Sequence, residues 1–166
     1  MSENYSIKSN NKGLSLVEII IVLAIMSIIG VAAYMTTAMA TDKQVNECAL
    51  KMVSSIEQTR NLTLGKQSGY IHLSQTSGDY VYIQMYIDGK KYGSDEPVAI
   101  GRPGLTVYVD GTKLTDLASG ADITFNRSNG SLSASSPTTI KVTNGRRTMT
   151  ITIDSYTGRV ESTLDV

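Results

Sequence analysis

The sequence has no tryptophan, and it has only one cysteine and one histidine among its 166 residues. Cys48 cannot close a disulfide within the chain, and one cysteine with one histidine cannot build a standard structural zinc site. We find no set of residues that resembles a catalytic constellation, so we expect no enzyme activity, cofactor or metal. We interpret Cys48 as a small apolar residue on a buried helix face. We expect His72 to be a surface or hydrogen-bonded residue of a strand.

Charged residues are also scarce, at 18% of the chain, and the 15 basic residues balance the 15 acidic ones. A general nucleic-acid-binding protein needs a basic stripe, and this composition argues against one, but it does not exclude a small basic patch. Past residue 65 the chain is rich in glycine, serine, threonine and tyrosine. That mixture is typical of an exposed β domain with many turns.

One long segment has no charge at all. From Ile19 to Thr41 the sequence runs for 23 residues without an acidic or basic side chain. A helix needs about 20 apolar residues to cross a bilayer, so this segment is long enough. Lys8 and Lys12 precede it, which predicts that the N-terminal side stays cytoplasmic and that the rest of the chain lies outside.

Three interpretations of this segment compete. An ordinary signal peptide would end near Ala38-Met39-Ala40, which has the small-x-small form that signal peptidase prefers. A plain membrane anchor would never be cut. The third interpretation starts from Glu18, which lies near the beginning of the apolar stretch that starts at Leu14. A carboxylate in the bilayer costs about 2.5 kcal/mol or more, so such a residue usually has a partner.

Lys12 to Glu18 reads KGLSLVE, and IIIVLAIMSIIGVAAY follows it. This arrangement resembles the class III signal of type IV prepilins and type II secretion pseudopilins. In that family a prepilin peptidase cuts after the glycine and usually methylates the new N-terminus. The resemblance therefore implies cleavage between Gly13 and Leu14, N-methylation of Leu14 and an assembly role for Glu18, which would pair with the terminal amine of a neighbouring subunit.

The same resemblance implies the partners and the location of the protein. The partners are the prepilin peptidase, other pilins or pseudopilins, and the assembly platform with its ATPase. The protein would be a single-pass protein of the inner or cytoplasmic membrane, and it would then enter a pilus or pseudopilus. Two residues depart from the family pattern: Leu14 replaces the usual phenylalanine, and Met35 stands where many major pilins have proline. The second departure favours a minor pilin or pseudopilin.

The periodicity of the sequence changes once. Spacings of three and four residues continue beyond the uncharged segment and predict a buried helix face. Thr41 to Gln44 resemble a capping box, so a break or bend is expected there. After Gly69 the period becomes two, which predicts strands joined by turns in an antiparallel meander. The predicted helix face comprises Val45, Ala49, Met52, Ile56, Thr59 and Thr63, and the predicted strands lie at 69–73, 80–87, 105–109, 123–125, 139–142, 148–153 and near 160.

The expected fold is therefore α+β and type IV pilin-like, with a long N-terminal helix packed on an antiparallel sheet domain. We predict a leader at 1–13, a hydrophobic transmembrane and assembly helix at 14–41, and a globular domain at 42–166. In that domain the amphipathic half of the helix would run to about residue 65, and β-strands would follow.

The order of features resembles one subfamily, the H-type pseudopilins of type II secretion and the T-type minor fimbrial pilins. Arg60 with a Gly-led strand at Gly69 matches its middle part, and Ile123-Thr124-Phe125 with Gly158-Arg159-Val160 matches its end. Some T-type relatives are thought to touch DNA through C-terminal arginines. The alternative function is therefore a competence-type minor pilin that binds DNA, and its contacts would be Arg146, Arg147 and Arg159.

Overall fold

The computed structural model describes residues 15–65, 67–76, 80–115 and 120–165. They divide into two compact units, of which one ends at Ala38 and the other begins at Met39. Helix α1 has the bounds Leu16–Leu64. The strands are β1 (Gly69–Gln75), β2 (Val81–Ile87), β3 (Lys90–Tyr92), β4 (Val98–Gly101), β5 (Thr106–Val109), β6 (Thr112–Lys113), β7 (Ala121–Thr124), β8 (Thr139–Thr143), β9 (Thr148–Ile153) and β10 (Val160–Asp165).

The strands form two antiparallel sheets. The first sheet has the order β3-β2-β1-β7, and β4 also pairs with β2. The second sheet has the order β10-β9-β8-β5-β6. Each predicted strand is present, so the α+β class and the switch of period near Gly69 are confirmed. The simple meander is wrong, because β1 pairs with β7 and β5 pairs with β8 across long stretches of sequence.

Tight turns close two of the hairpins in the way that their residues predict. Asp88 and Gly89 have φ angles of 49° and 75°, and Asp110 and Gly111 have 46° and 82°. Both pairs join strands through two residues, and positive φ at both positions defines a type I′ turn. Asp-Gly suits this turn because glycine adopts positive φ without strain and aspartate tolerates it.

One face of α1 packs into a core that also contains residues of both sheets. The six residues predicted for that face are all buried, and Cys48 is buried with them. Burial raises the pKa of the Cys48 thiol to about 12, so the thiol stays neutral and behaves as a small apolar group, as expected. Thr41 to Gln44 are helical, so no break is observed there. The core residues of the sheets include Ile71, Leu73, Val81, Ile123, Val107, Ile140, Val142, Ile151 and Ile153.

The side chain of Arg60, near the end of α1, forms hydrogen bonds with two turns, one at Gly130 and one at Thr157. Its Nε donates to the backbone oxygen of Thr157 at 3.0 Å and to that of Gly130 at 3.4 Å. Gly130 and Gly158 both have positive φ, 68° and 66°, and both are buried against this contact. A β-carbon on Gly158 would lie 2.1 Å from the Gly130 oxygen and 3.0 Å from Arg60 Nε. Only glycine therefore fits at position 158.

We expect Gly158→Ala to lower the free energy of unfolding by at least about 3 kcal/mol, because it adds steric overlap to an unfavourable φ. Gly145→Ala is the matched control: Gly145 also has positive φ, 84°, but nothing lies within 4 Å of its β-carbon position. The control should lose only about 1–2 kcal/mol. Urea unfolding of the full-length chain in detergent, followed by tyrosine fluorescence, measures both. Equal losses would contradict the contact between the two turns.

Candidate processing and assembly segment

The predicted cleavage site lies before the part of the chain that the structure describes. The described residues begin at Ser15, so Gly13 and Leu14 lie outside them, and cleavage and methylation stay predictions. Glu18 is described and lies in the first turn of α1. The Ile19 amide donates to the Ser15 oxygen at 3.1 Å, which places the start of the helix just before Glu18.

Glu18 is a charged residue at the beginning of an apolar helix surface. Its neighbours Val17 and Ile19 are 62% and 47% exposed, and Glu18 itself is exposed. Within the described ranges no cation lies close enough to form an ion pair with it. A carboxylate in the first turn interacts favourably with the helix dipole, but in apolar surroundings it still needs a positive partner. Glu18 is thus available to a group outside the described chain.

The apolar surface continues along α1. Every residue from Ser15 to Thr37 is exposed, and most of them are large and hydrophobic. Two threonine hydroxyls in this part donate back to the helix, Thr36 to the Ala32 oxygen at 2.9 Å and Thr37 to the Tyr34 oxygen at 2.9 Å. Satisfied hydroxyls are compatible with an apolar environment. By length and composition, α1 is long and apolar enough to cross a membrane.

The three arginines proposed for DNA lie at two places along the second sheet. Arg146 and Arg147 precede β9, whereas Arg159 follows the turn after it, so the length of β9, roughly 20 Å, separates them. Arg146 lies 3.9 Å from an oxygen of Asp42, and Arg159 lies 3.4 Å from an oxygen of Glu161. Nearby carboxylates reduce the attraction of both arginines for phosphate.

His72 is a hydrogen-bonded residue of a strand, as the sequence predicts. Its Nδ1 lies 2.7 Å from Asp122 Oδ1, on the paired strands β1 and β7. Among the residues that the structure describes, no three histidine, cysteine or acidic side chains are grouped so that they could hold a metal ion.

Comparison with known protein families addresses this same helix. Residues 8–34 match the family model described as the prokaryotic N-terminal methylation motif. The chain carries this class III signal. The methylation motif includes Gly13, Leu14 and Glu18 and continues through most of the exposed apolar surface of α1. It is the signal of type IV prepilin-like proteins, and it favours the prepilin interpretation over an ordinary signal peptide or a plain anchor.

The methylation motif ends at residue 34, so it assigns no family to the β-sheets. No curated protein and no solved structure matches the chain. The H-type or T-type subfamily therefore stays a prediction. Together, the methylation motif and the apolar helix support a pilin-like or pseudopilin subunit that is anchored in a membrane.

Proposed function

We propose that this chain is a structural subunit, a minor pilin or pseudopilin, of a type IV pilus or a type II secretion-like filament. The observation that carries the proposal is the overlap of the methylation motif with the exposed apolar part of α1. An apolar surface of this length must be covered by lipid or by other helices. Lipid would cover it before assembly, and the helices of other subunits would cover it afterwards.

In this proposal a prepilin peptidase cuts between Gly13 and Leu14 and methylates the new amine of Leu14. Glu18 then pairs with the terminal amine of a neighbouring subunit. A charge pair in low dielectric fixes the register of two helices more than it adds net stability. Other pilins, an assembly platform and an ATPase complete the system, and the β-sheet unit lies outside the cytoplasmic membrane.

The minor-subunit role rests on Met35, which stands where many major pilins have proline. The role is structural rather than enzymatic, because the motif directs processing and assembly. We do not propose DNA capture as a second function, because Arg146 and Arg159 lie at opposite ends of β9.

The N-terminus of the protein recovered from a host that makes such filaments tests the proposal. We expect intact-protein and peptide mass spectrometry to find a mature chain that begins at Leu14. A mass increase of one methyl group would show that Leu14 is methylated. A chain that begins at Thr41 would contradict the proposal, because signal peptidase would then have removed the assembly helix.

Two variants at the cleavage site sharpen this test. Gly13→Ala should still be cut, since alanine remains small, whereas Gly13→Trp should leave full-length precursor in the membrane. Equal processing of both variants would show that the peptidase does not recognise this position.

A further inference from the structure

The turn between β8 and β9 is bound to α1 at the point where the uncharged part of the helix ends. The side chain of Asn144 donates from Nδ2 to Asp42 Oδ1 at 2.9 Å. Asp42 is the first residue after the uncharged run, which ends at Thr41. Arg146 follows in the same turn and lies 3.9 Å from the other carboxylate oxygen of Asp42. The turn is therefore fixed beside the first charged residue that follows the apolar part of α1.

The oxygen of the same Asn144 side chain orders the turn itself. Oδ1 accepts hydrogen bonds from the backbone amides of Arg146 at 3.0 Å and Arg147 at 2.8 Å. The Gly145 amide donates to Thr143 Oγ1 at 3.0 Å, and Gly145 has a positive φ of 84°. One side chain thus binds α1 and holds the backbone of both arginines. A turn that is ordered in advance loses little conformational entropy when it meets a partner.

Arg147 carries the positive charge that is not compensated here. Lys43 lies 3.6 Å from Glu47 and Arg146 lies near Asp42, but Arg147 forms no ion pair with any residue that the structure describes. Its Nε is buried without a hydrogen-bond partner in the described ranges, while the residue as a whole stays partly exposed. A partly buried charge is stabilised by an opposite charge that bonds to it. These three cations and two carboxylates leave a surplus of one positive charge, which favours an anionic partner.

The membrane places anions at the level of this turn. A helix over residues 14–41 rises by about 42 Å, at about 1.5 Å per residue. A bilayer with its headgroups is about 40–45 Å thick. Asp42 is the next residue, so Asp42 and the turn that is bonded to it lie at the level of the lipid headgroups when α1 spans the membrane. Basic side chains beside a membrane segment are attracted to anionic headgroups.

We propose that the β8–β9 turn binds anionic phospholipid headgroups on the outer surface of the cytoplasmic membrane before assembly, with Arg147 as the main contact and Arg146 beside it. The inference rests on the membrane-anchored stage of the proposed function and adds a lipid partner to it. The phosphates of nucleic acid carry the same charge, but α1 brings this turn to a membrane surface. A single copy of the chain is sufficient for the contact, as a minor subunit requires.

The full-length chain in lipid nanodiscs tests this contact. One set of discs contains phosphatidylcholine alone, and the other contains equal amounts of phosphatidylcholine and phosphatidylglycerol. Both sets include a trace of lipid with a spin label on its headgroup, which quenches a nearby fluorophore. The fluorophore is attached to the chain at Gly145→Cys, where nothing lies within 4 Å of the β-carbon position. The Cys48 thiol is buried and has a pKa of about 12, so it stays unlabelled.

We expect stronger quenching at position 145 in the anionic discs than in the phosphatidylcholine discs. Arg147→Gln should lower the ratio of bound to unbound turn about fivefold in the anionic discs. About 1 M NaCl should also release the turn, because it screens charges beyond about 3 Å. Arg159→Gln is the matched control and should change nothing, since Arg159 follows the turn at the other end of β9. A fluorophore at Tyr156→Cys, in that second turn and 86% exposed, should be quenched equally weakly in both sets of discs.

The outcomes separate this contact from the proposed function. Equal quenching at position 145 in the two sets of discs, or wild-type quenching in Arg147→Gln, would overturn the headgroup contact and leave the proposed function intact. Loss of the quenching when duplex DNA is added at the same phosphate concentration would assign the turn to nucleic acid and overturn the contact as well. A chain that does not co-elute with the discs would contradict the membrane anchor, and with it both ideas.

Discussion

Replacing Met52 by aspartate is expected to lower the free energy of unfolding of the sheet-bearing unit by about 5 kcal/mol. Met52 is fully buried on the face of α1 that packs against both sheets. Loss of a large core side chain costs about 2–5 kcal/mol, and the buried carboxylate adds a desolvation cost without a partner. A marginally stable domain would unfold under this change.

Leu50→Asp is the control, because Leu50 lies on the same helix and is 59% exposed. A surface substitution of this kind should change the free energy of unfolding by about 0.5 kcal/mol or less. Urea unfolding of both full-length variants in detergent can be followed by tyrosine fluorescence, since the chain has no tryptophan. If Met52→Asp kept the wild-type midpoint, this face of the helix would not be the one that packs on the sheets.

The helix face could be predicted because its signal is local. Apolar residues that recur every three or four positions define a stripe on any helix, whatever the rest of the chain does. Even the two threonines of the predicted face are buried. The hydroxyl of Thr59 donates to the Ser55 oxygen at 3.0 Å and that of Thr63 to the Thr59 oxygen at 2.8 Å, so neither donor is left unpaired.

The sheets could be predicted only in part. Alternation locates a strand, but the partner of that strand is decided by packing between distant segments. The pairings of β1 with β7 and of β5 with β8 therefore had no local signal. Three short strands were also missed. Lys90–Tyr92 and Thr112–Lys113 are exposed throughout, and in Val98–Gly101 two exposed residues are followed by two buried ones, so none of the three shows alternation.

The candidate segment could be predicted from the sequence, whereas contacts between distant residues could not. Glu18 and the glycine before the apolar run were visible because the motif is contiguous in sequence. The contact of Arg60 with Gly130 and Thr157 was not, since 70 and 97 residues separate the partners.

Glu18→Gln is expected to leave the chain inserted and cleaved but to remove most of it from the filament. The amide keeps the shape and the hydrogen-bonding capacity of the carboxylate while removing its charge. The charge costs about 2.5 kcal/mol or more in the bilayer. Without this cost, the unassembled monomer should be at least as stable in the membrane as the wild type. Assembly and stability should then change in opposite directions, which a folding defect would not produce.

The measurement is the fraction of mature protein in sheared filaments beside the fraction left in the membrane. Glu57→Gln is the matched control, because Glu57 is an exposed acidic residue later in the same helix, and it should assemble normally. A subunit at the filament tip has no subunit ahead of it, so a major pilin of the same host with the equivalent change is included. If that pilin is lost from filaments while Glu18→Gln is recruited like the wild type, this chain occupies the tip. If both assemble normally, the charge is dispensable, and register is set by the apolar packing of the helices alone.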